Sequence, residues 1–427
     1  MYSKRERNAP RRVQSSGRQK PTRGKWKLIL PRRVRAKLQG AETHAWEAET
    51  TLEGTRTRLG ETQTQLAHRD EQVRHLRMMP GSLLRTLLGH PAIATSPLRA
   101  LVLIPGGINY FYDQTGHRLA ESLIALGFTV DVFSLSDLPE VHPQYDWTLV
   151  VNIAEVLLAF SVTNTAARLA GQITPEEQAR ALTRLAQVHD ESRAIAAVQL
   201  DAAGTHWFDH AHTLCAHANI PTFFDLGFHD QSAVLLPQQR ARYQFVFNGL
   251  TDSERIQLDT LPTLPNDDAR PVPWVFVGHL TPDRTNLVRT LVQEFDPRGF
   301  VYMPMLAPFT QGGLHLDEAQ FSAVLSRARY QVWRSHHAHF YLESERFRQS
   351  ALAGGVPVKL ITAPLPSGPI PFRDFLVDAE TFASQLREWD FMTMRRRVAE
   401  EFRMLPSLNN SLLAALAVCS PVRQYGT

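Results

Sequence analysis

Residues 330–361 constrain the fold most, because this short stretch reads as strand, polar loop, helix, glycine turn and second strand. The apolar run YQVW predicts a strand, and polar residues fill 334–339 at its carboxyl end. Residues 344–353 have the pattern of an amphipathic helix, which Gly354–Gly355 ends before a strand predicted over 356–361. This order predicts an open α/β sheet, in which ligands bind at the carboxyl ends of the strands.

The same alternation of strands and helices starts twice along the chain. An apolar strand over 98–105 leads into the turn Gly106–Gly107 and a helix, and a second series starts at Trp274. The segment 265–273, PNDDARPVP, contains three prolines and acidic turn formers, which predicts a hinge linker. The chain is therefore expected to form two Rossmann-like α/β domains that face a cleft. The predicted units are a first domain over 98–264, the linker over 265–273, a second domain over 274–405 and a C-terminal helix over 406–420. Further strands are predicted over 128–135, 146–152, 196–201, 222–227 and 243–249, and a helical stretch over 155–194.

The excess of positive charge lies in residues 1–37, which contain fourteen Lys or Arg and one acid, Glu6, a balance of +13. The whole chain has a net charge of +4, so the rest carries −9. Interspersed Pro, Ser and Gly predict a disordered tail. Three uses stay open for it: a solvated extension, attachment to an anionic membrane surface, or binding of nucleic acid.

Residues 38–79 contain no proline and predict a helix. Leu52, Leu59, Leu66 and Val73 recur at seven-residue intervals, as in a short coiled coil. Most positions three residues further on are polar, so a weak homodimer and a solitary helix both stay open.

The cysteine content and the hydropathy indicate the compartment. The two cysteines, Cys215 and Cys419, provide neither a disulfide framework nor a metal-ligand spacing. No apolar run approaches the ~18 residues of a membrane helix, and no secretory signal is visible. We expect a cytoplasmic protein, which could lie at the inner face of the membrane through its basic tail.

Three segments, over 316–335, 351–360 and 375–389, follow one another as a helix and strand ending in a serine-bearing loop, the turn ALAGGVPVKL, and a late strand and helix. Together they resemble the GT-B glycosyltransferases of the group 1-like family, which have two Rossmann-like domains and use nucleotide sugars. The resemblance implies an acceptor domain followed by a donor domain. It also implies transfer of a sugar from a nucleotide diphosphate to a hydroxyl acceptor in surface glycan or polysaccharide assembly, with no metal or other cofactor.

The resemblance places the donor site in two loops of the second domain. Arginine suits a diphosphate because its planar fork donates two parallel bonds. The alternative for Arg284 is an exposed residue at a helix start, paired with Asp283. Arg346 and Arg348 lie two apart in a helix, so at most one of them faces a diphosphate. The expected donor-binding residues of these loops are Gly278, His279, Arg284, Arg334, Ser335 and His336.

Two carboxylates are expected near the donor. Many retaining members of the family have two glutamates eight residues apart, and the corresponding positions here hold Leu342 and Ser350. Glu343 and Glu345 lie close by and, with Ser350, are further expected donor-binding residues. A loop difference of one residue would let Glu343 hold donor hydroxyls, and Glu343 is also an expected catalytic residue. Alternatively, both glutamates complement the dipole of a helix amino terminus.

The acceptor side is expected at FFDLGFHDQ. There Asp225 is an expected acceptor-binding residue, and His229 and Asp230 are expected catalytic residues. Histidine suits a general base near neutral pH, which inverting transfer requires; the alternative is a structural loop histidine. Asp201 and His206 form a second candidate set after the preceding strand. The remaining expected acceptor-binding residues are Gly106 and Gly107, which could equally be turn residues.

The run H-H-x-H at 336–339 has no carboxylate at a standard zinc spacing, so no metal is expected.

Three other functions stay open. A sugar-nucleotide epimerase or hydrolase of the same fold would share the donor site. A non-catalytic scaffold is favoured by Ser350, and nucleic-acid binding rests on the tail alone.

Overall fold

Two series of parallel strands form the framework. The structure, a computed structural model, describes residues 97–107, 110–161, 173–261, 270–278, 281–302, 316, 318–335, 339–366 and 368–419. The first series contains β1 (Arg99–Ile104), β2 (Thr129–Ser134), β3 (Trp147–Val151), β4 (Ile195–Gln199), β5 (Thr222–Gly227) and β6 (Tyr243–Phe247). The second contains β7 (Val272–Val277), β8 (Phe300–Tyr302), β9 (Ala328–Arg334), β10 (Val356–Ile361) and β11 (Leu376–Asp378).

Helices connect these strands. Those of the first region are α1 (Tyr110–Ala125), α2 (Ile153–Ser161), α3 (Pro175–Asp190), α4 (His206–His217), α5 (Pro237–Arg240) and α6 (Asp252–Asp259). Those that follow are α7 (Pro282–Thr290), α8 (Glu318–Arg327), α9 (Ser344–Leu352), α10 (Phe382–Glu388), α11 (Phe391–Met404) and α12 (Leu408–Cys419). A π-helical turn (Leu291–Phe295) continues α7, and 3₁₀ turns cover Ser232–Val234 and Arg373–Phe375.

Each series forms one sheet. The strand order is β2-β1-β3-β4-β5-β6 in the first sheet and β11-β10-β9-β7-β8 in the second. The pairings within both sheets are parallel. Parallel neighbours need crossover connections, which the helices provide. The architecture is therefore α/β, with two parallel sheets in the arrangement of two Rossmann-like domains.

The first sheet is covered on both faces, as continuous apolar strands require. All residues of β3, β4 and β5 are buried. Alternate residues point to opposite faces and join two separate cores. One core contains Val102, Leu149, Val198 and Phe224. The other contains Leu101, Val150, Ala197 and Phe223.

The last helix returns to the first sheet. Leu408, Leu412 and Leu416 recur every four residues on α12 and are buried in the core that also contains Val246 of β6. Spacing of this kind forms one apolar face of a helix. The chain therefore closes the first domain with a segment that follows the second.

Most elements agree with the prediction, and the differences are local. The strands over 222–227 and 356–361 have the predicted bounds. The helical stretch predicted over 155–194 contains two helices, α2 and α3, among the described residues. β7 starts at Val272, so the end of the predicted linker 265–273 belongs to a strand, because its apolar residues pair with β9. The short strand β8 was not predicted from the sequence.

Two predicted segments, the basic tail over 1–37 and the helix over 38–79, lie outside the described residues. In the described ranges, no helix has the length and apolar character needed to cross a membrane.

A ring of four buried charges joins the two domains. Arg118 of α1 donates to Glu254 of α6 at 2.8 Å and to Glu345 of α9 at 2.8 Å. Arg348 of α9 donates to Glu254 at 2.7 Å and to Glu345 at 2.7 Å through its Nε. Asn248 completes the contact, because its amide nitrogen donates to Glu345 at 2.9 Å. The four charged residues are buried and their charges balance.

Burial opposes ionisation of both glutamates, but the two arginines outweigh it. Arg348 and Arg118 lower the pKa of Glu345 to about 2. The same arginines lower the pKa of Glu254 below its ordinary value. Both carboxylates are therefore ionised at neutral pH, and neither arginine can be removed without leaving a buried negative charge.

Arg348→Met is expected to lower the free energy of unfolding by about 3–5 kcal/mol, the usual effect of removing one partner from a buried ion pair. The matched control is Arg403→Met, because Arg403 forms an exposed pair with Asp259 and should change stability by less than about 1 kcal/mol. Denaturant unfolding curves of both variants provide the measurement. Equal, small changes would contradict a structural role for the ring.

Candidate active site

Three basic side chains of the second domain meet near the carboxyl ends of β7 and β9. Arg284, in the first turn of α7, is buried. Arg346 lies in the first turn of α9; its guanidinium donates to the carbonyl of Val277 at 2.8 Å and lies 6.0 Å from the ring centre of Trp333. Lys359 comes from the middle of β10 and is buried. We call these three residues the cation cluster.

Glu343, directly before α9, is the carboxylate beside the cation cluster. Its Oε2 accepts hydrogen bonds from Lys359 Nζ at 2.6 Å and from Trp333 Nε1 at 3.1 Å. Its Oε1 accepts from Ser335 Oγ at 2.5 Å, and Lys359 also donates to Ser335. Burial opposes ionisation, but Lys359 outweighs it and lowers the pKa of Glu343 to about 2. Glu343 is therefore an ionised group held by three donors.

The cations of the cluster act on one another. Burial, followed by the charge of Arg346, lowers the pKa of Arg284 to about 10. Burial also lowers the pKa of Lys359, and Arg346 and Arg284 add to this effect. The four described groups, including Glu343, carry three positive charges and one negative charge. Like charges crowded in this way are stabilised by an anion that binds beside them.

Some of the donor-binding residues expected from the sequence lie at the cation cluster. Ser335 contacts the cluster directly, and Gly278 lies against the side chain of Arg284, whose Nη1 is 3.3 Å from the position of a Cβ at Gly278. Arg334 accepts a bond from Arg284 through its backbone carbonyl at 3.4 Å. The alternative for Arg284, an exposed residue paired with Asp283, is wrong, because Arg284 is buried and Asp283 pairs with Arg334 at 3.2 Å.

The remaining expected donor residues lie elsewhere or outside the described ranges. Glu345 belongs to the buried ring, not to the cation cluster. Ser350 is buried in α9, and within the described part of the chain its Oγ has no hydrogen-bond partner. His279 and His336 lie outside the described residues. Arg346 and Arg348 point to different places, as their spacing of two requires.

Two aspartates lie at the carboxyl ends of β4 and β5 in the first domain. Asp225 is fully buried, and its Oδ2 accepts from Tyr243 at 2.8 Å and from Gln231 at 3.0 Å. Asp201 is partly exposed and accepts from Tyr112 at 3.4 Å and from Gln199. Burial raises the pKa of Asp225 to about 7 and that of Asp201 to about 6. These are acidic groups poised near neutral pH.

His229 and Asp230, the expected catalytic pair, lie at the junction between the domains. The ring of His229 lies 5.3 Å from that of Phe340 and 6.2 Å from that of Tyr341, centre to centre. Burial lowers the pKa of His229, so the imidazole is neutral at neutral pH. Asp230 is exposed, and its Oδ1 accepts from the backbone of Ser232 at 2.8 Å, as in a turn. A catalytic role of the pair stays a prediction.

The glycine turn after β1 binds a carboxylate of its own chain. Gly106 and Gly107 have φ of +70° and +84°, which favours glycine. Their amides donate to the two carboxylate oxygens of Asp113 at 3.0 and 2.7 Å. The expectation of a backbone turn is therefore confirmed, while contact with an acceptor stays a prediction.

Sequence reasoning missed two residues of this region. Lys359 lies within the apolar strand VPVKLI, and a lysine inside a buried strand is a usable signal, because such a charge requires a partner. Tyr341 follows a loop and gives no such signal. Its hydroxyl donates to the carbonyl of Leu200 and so links the two domains.

Within the described ranges, no group of three or more His, Cys, Asp or Glu side chains is arranged to hold a metal ion.

No protein-family model and no curated protein matches the chain. Solved structures do show similarity. An alpha-glucosyltransferase (AGT) in complex with UDP is 8% identical over 76% of this chain and 100% of its own, with a TM-score of 0.46. An alpha-glucosyltransferase in complex with UDP and a 13-mer DNA has 8% identity, the same coverages and a TM-score of 0.45. An alpha1,3-fucosyltransferase has 8% identity over 77% of this chain and 88% of its own, with a TM-score of 0.33. Similarity at these values indicates no activity for this chain.

Asp225→Asn is expected to stabilise the protein at pH 8 by on the order of 2 kcal/mol and to change little at pH 4. A carboxyl group whose folded-state pKa is raised stabilises the fold at low pH, and this contribution is lost as the pH rises towards about 7. Denaturant unfolding between pH 4 and 8 measures the effect. Asp209→Asn, at an exposed carboxylate of α4, is the control; an equal change in both variants would show that burial of Asp225 is not the cause.

Proposed function

We propose that this protein is a glycosyltransferase that moves a sugar from a nucleoside diphosphate donor to a hydroxyl acceptor. The observation that carries the proposal is the cation cluster. Arg284, Arg346 and Lys359 gather at the carboxyl ends of parallel strands, the usual position of ligands in open α/β sheets. Three cations with one carboxylate complement a diphosphate, which carries two to three negative charges.

The cluster would act on the leaving group. When the bond between the sugar and the diphosphate breaks, negative charge develops on the diphosphate oxygens. Arg284 and Arg346 can donate charge-assisted hydrogen bonds there, and buried donors fixed in place stabilise such charge most effectively. The first turns of α7 and α9, which carry these arginines, add the positive ends of their helix dipoles. Side chains thus supply the charge that a metal ion supplies in other transferases.

Glu343 would position the cluster. Lys359, Ser335 and Trp333 occupy its carboxylate oxygens, so its contribution is to fix the lysine, not to hold donor hydroxyls through both oxygens. The acceptor would enter from the first domain, where Asp225 and His229 lie. A glycan acceptor and attachment of residues 1–37 to an anionic membrane stay predictions from the sequence.

A non-catalytic protein that binds nucleotide sugars is the second candidate. It is favoured by Ser350, which is buried within α9, and by Glu343, whose two carboxylate oxygens already accept hydrogen bonds. Ser350 has no carboxylate and that of Glu343 is occupied, so neither residue offers a free carboxylate to a donor sugar. The two candidates share donor binding and differ only in turnover, so binding and turnover have to be measured separately.

Arg284→Ala is expected to weaken the binding of nucleoside diphosphates by about 1.5–3 kcal/mol, the scale of a hydrogen bond to a charged group. Titration calorimetry with UDP, GDP and ADP measures it, and circular dichroism checks the fold. Arg289→Ala, an exposed arginine of the same helix, is the matched control and should leave binding unchanged. Unchanged affinity in Arg284→Ala, for a nucleotide that the unmodified protein binds, would exclude Arg284 from the site.

A further inference from the structure

Asp201 lies on the wall of the first domain that faces the second. It follows β4, in the loop before α4, and is partly exposed, while Leu200, Ala202 and Ala203 around it are buried. Gln231 fixes this loop, because its side chain accepts from the amide of Ala203 at 2.7 Å and donates to the carbonyl of Asp201 at 3.3 Å. The carboxylate of Asp201 is therefore carried by a rigid segment.

The segment opposite Asp201 leads directly to the cation cluster. Tyr341 of the second domain donates to the carbonyl of Leu200, the residue before Asp201. His339 lies against Gly204, with Nε2 3.3 Å from the position of a Cβ at that glycine. Tyr341 lies two residues before Glu343, which binds Lys359 of the cation cluster. The loop that carries Asp201 and the segment that leads to Glu343 thus meet across the domain junction.

We propose that Asp201 takes the proton from the acceptor hydroxyl; this inference rests on the transfer reaction proposed above. The Asp201 carboxylate accepts the proton as the hydroxyl oxygen forms a bond to the anomeric carbon of the donor sugar. The bond from that carbon to the diphosphate breaks, and its electron pair leaves with the diphosphate, which the cation cluster holds. One proton moves to Asp201, and no oxidant or further reactant is needed.

The geometry favours Asp201 over the other candidates. The Nδ1 atom of His229 is buried, so this nitrogen is not presented to a substrate. Asp225 is fully buried and holds Gln231 and Tyr243. It is a positioning residue, because Gln231 in turn holds the Asp201 loop.

The surroundings of Asp201 suit a base near neutral pH. Its hydrogen-bond donors, Tyr112 of α1 and Gln199 of β4, are uncharged. Among the described residues, the titratable groups near it are Tyr112, Asp225 of β5 and Tyr341, and Glu155 of α2 lies near Tyr112. Burial outweighs the two hydrogen bonds and raises the pKa of Asp201 to about 6. The carboxylate is thus ionised at pH 7 and is more basic than an ordinary aspartate.

Two properties of the reaction follow. The acceptor should carry no negative charge at its reacting end, because the described groups facing Asp201 are acidic or neutral. The reaction should also invert the anomeric configuration, since a proton acceptor that is separate from the leaving diphosphate serves a hydroxyl that attacks the opposite face of the sugar.

Hydrolysis of the donor tests the inference without a known acceptor, because water then takes the acceptor's place. The full chain is incubated with UDP-glucose, GDP-mannose and ADP-glucose, and release of the nucleoside diphosphate is measured from pH 5 to 9. Asp201→Asn is expected to lower kcat at least about 100-fold while leaving the affinity for the free nucleoside diphosphate unchanged in calorimetry. Asp209→Asn, an exposed carboxylate of the same loop and helix region, is the control and should keep the full rate.

The pH profile and the product identify the role. In the unmodified protein the rate should fall as the pH drops below about 6; His229→Gln should keep this fall and Asp201→Asn should lose it. Proton NMR should show that the released hexose first appears with the anomeric configuration opposite to that of the donor. Retained configuration, or an undiminished rate in Asp201→Asn, would overturn the inference while leaving the transferase. Absence of both nucleotide binding and hydrolysis in the unmodified protein would overturn the proposed function and this inference with it.

Discussion

The ring of Arg118, Glu254, Glu345 and Arg348 is the interaction on which the site depends. Arg118 lies in α1 of the first domain, and Arg348 lies in α9, whose amino end carries Arg346 of the cation cluster. Because every oxygen and nitrogen in the ring must stay paired once it is buried, the relative position of α1 and α9 is tightly restricted. The same restriction on α9 fixes the position of Glu343, which lies directly before this helix. A buried ion pair contributes little net stability compared with apolar packing, so its value here is geometric.

Beside the ring, the two sides of the domain junction carry different charges. On the side of the second domain, Arg284, Arg346 and Lys359 lie around the carboxylate of Glu343. On the side of the first domain, Asp201 and Asp225 are held by uncharged tyrosine and glutamine side chains. A reaction in which a diphosphate leaves and a hydroxyl loses a proton needs this polarity, because negative charge appears at one wall and a proton is taken up at the other. Two surfaces covered by ordinary ion pairs would neither stabilise the negative charge of the leaving diphosphate nor accept the proton.

The sequence predicts the framework well and the site only in part. Strands such as 222–227 are found because parallel, doubly covered strands are continuously apolar, and this signal is local. Arg284 is found because it follows a glycine turn at a strand end. The ring could not be predicted, because Arg118 and Glu345 lie 227 residues apart and nothing in either local pattern indicates the other. Glu343 was expected to hold donor hydroxyls. In the structure it binds Lys359, sixteen residues away in β10; a lysine inside an apolar strand signals a buried partner but does not indicate which carboxylate that partner is.

We propose that the cation cluster binds the diphosphate of a sugar donor, and a crystal structure with a bound nucleoside diphosphate would decide this. Phosphate oxygens should lie within about 3 Å of the guanidinium nitrogens of Arg284 and Arg346, the distance of a charge-assisted hydrogen bond. Lys359 should stay bound to Glu343. A diphosphate bound at Gly106–Gly107 with displacement of Asp113, or at any place remote from Arg284, would show that the cluster is not the donor site.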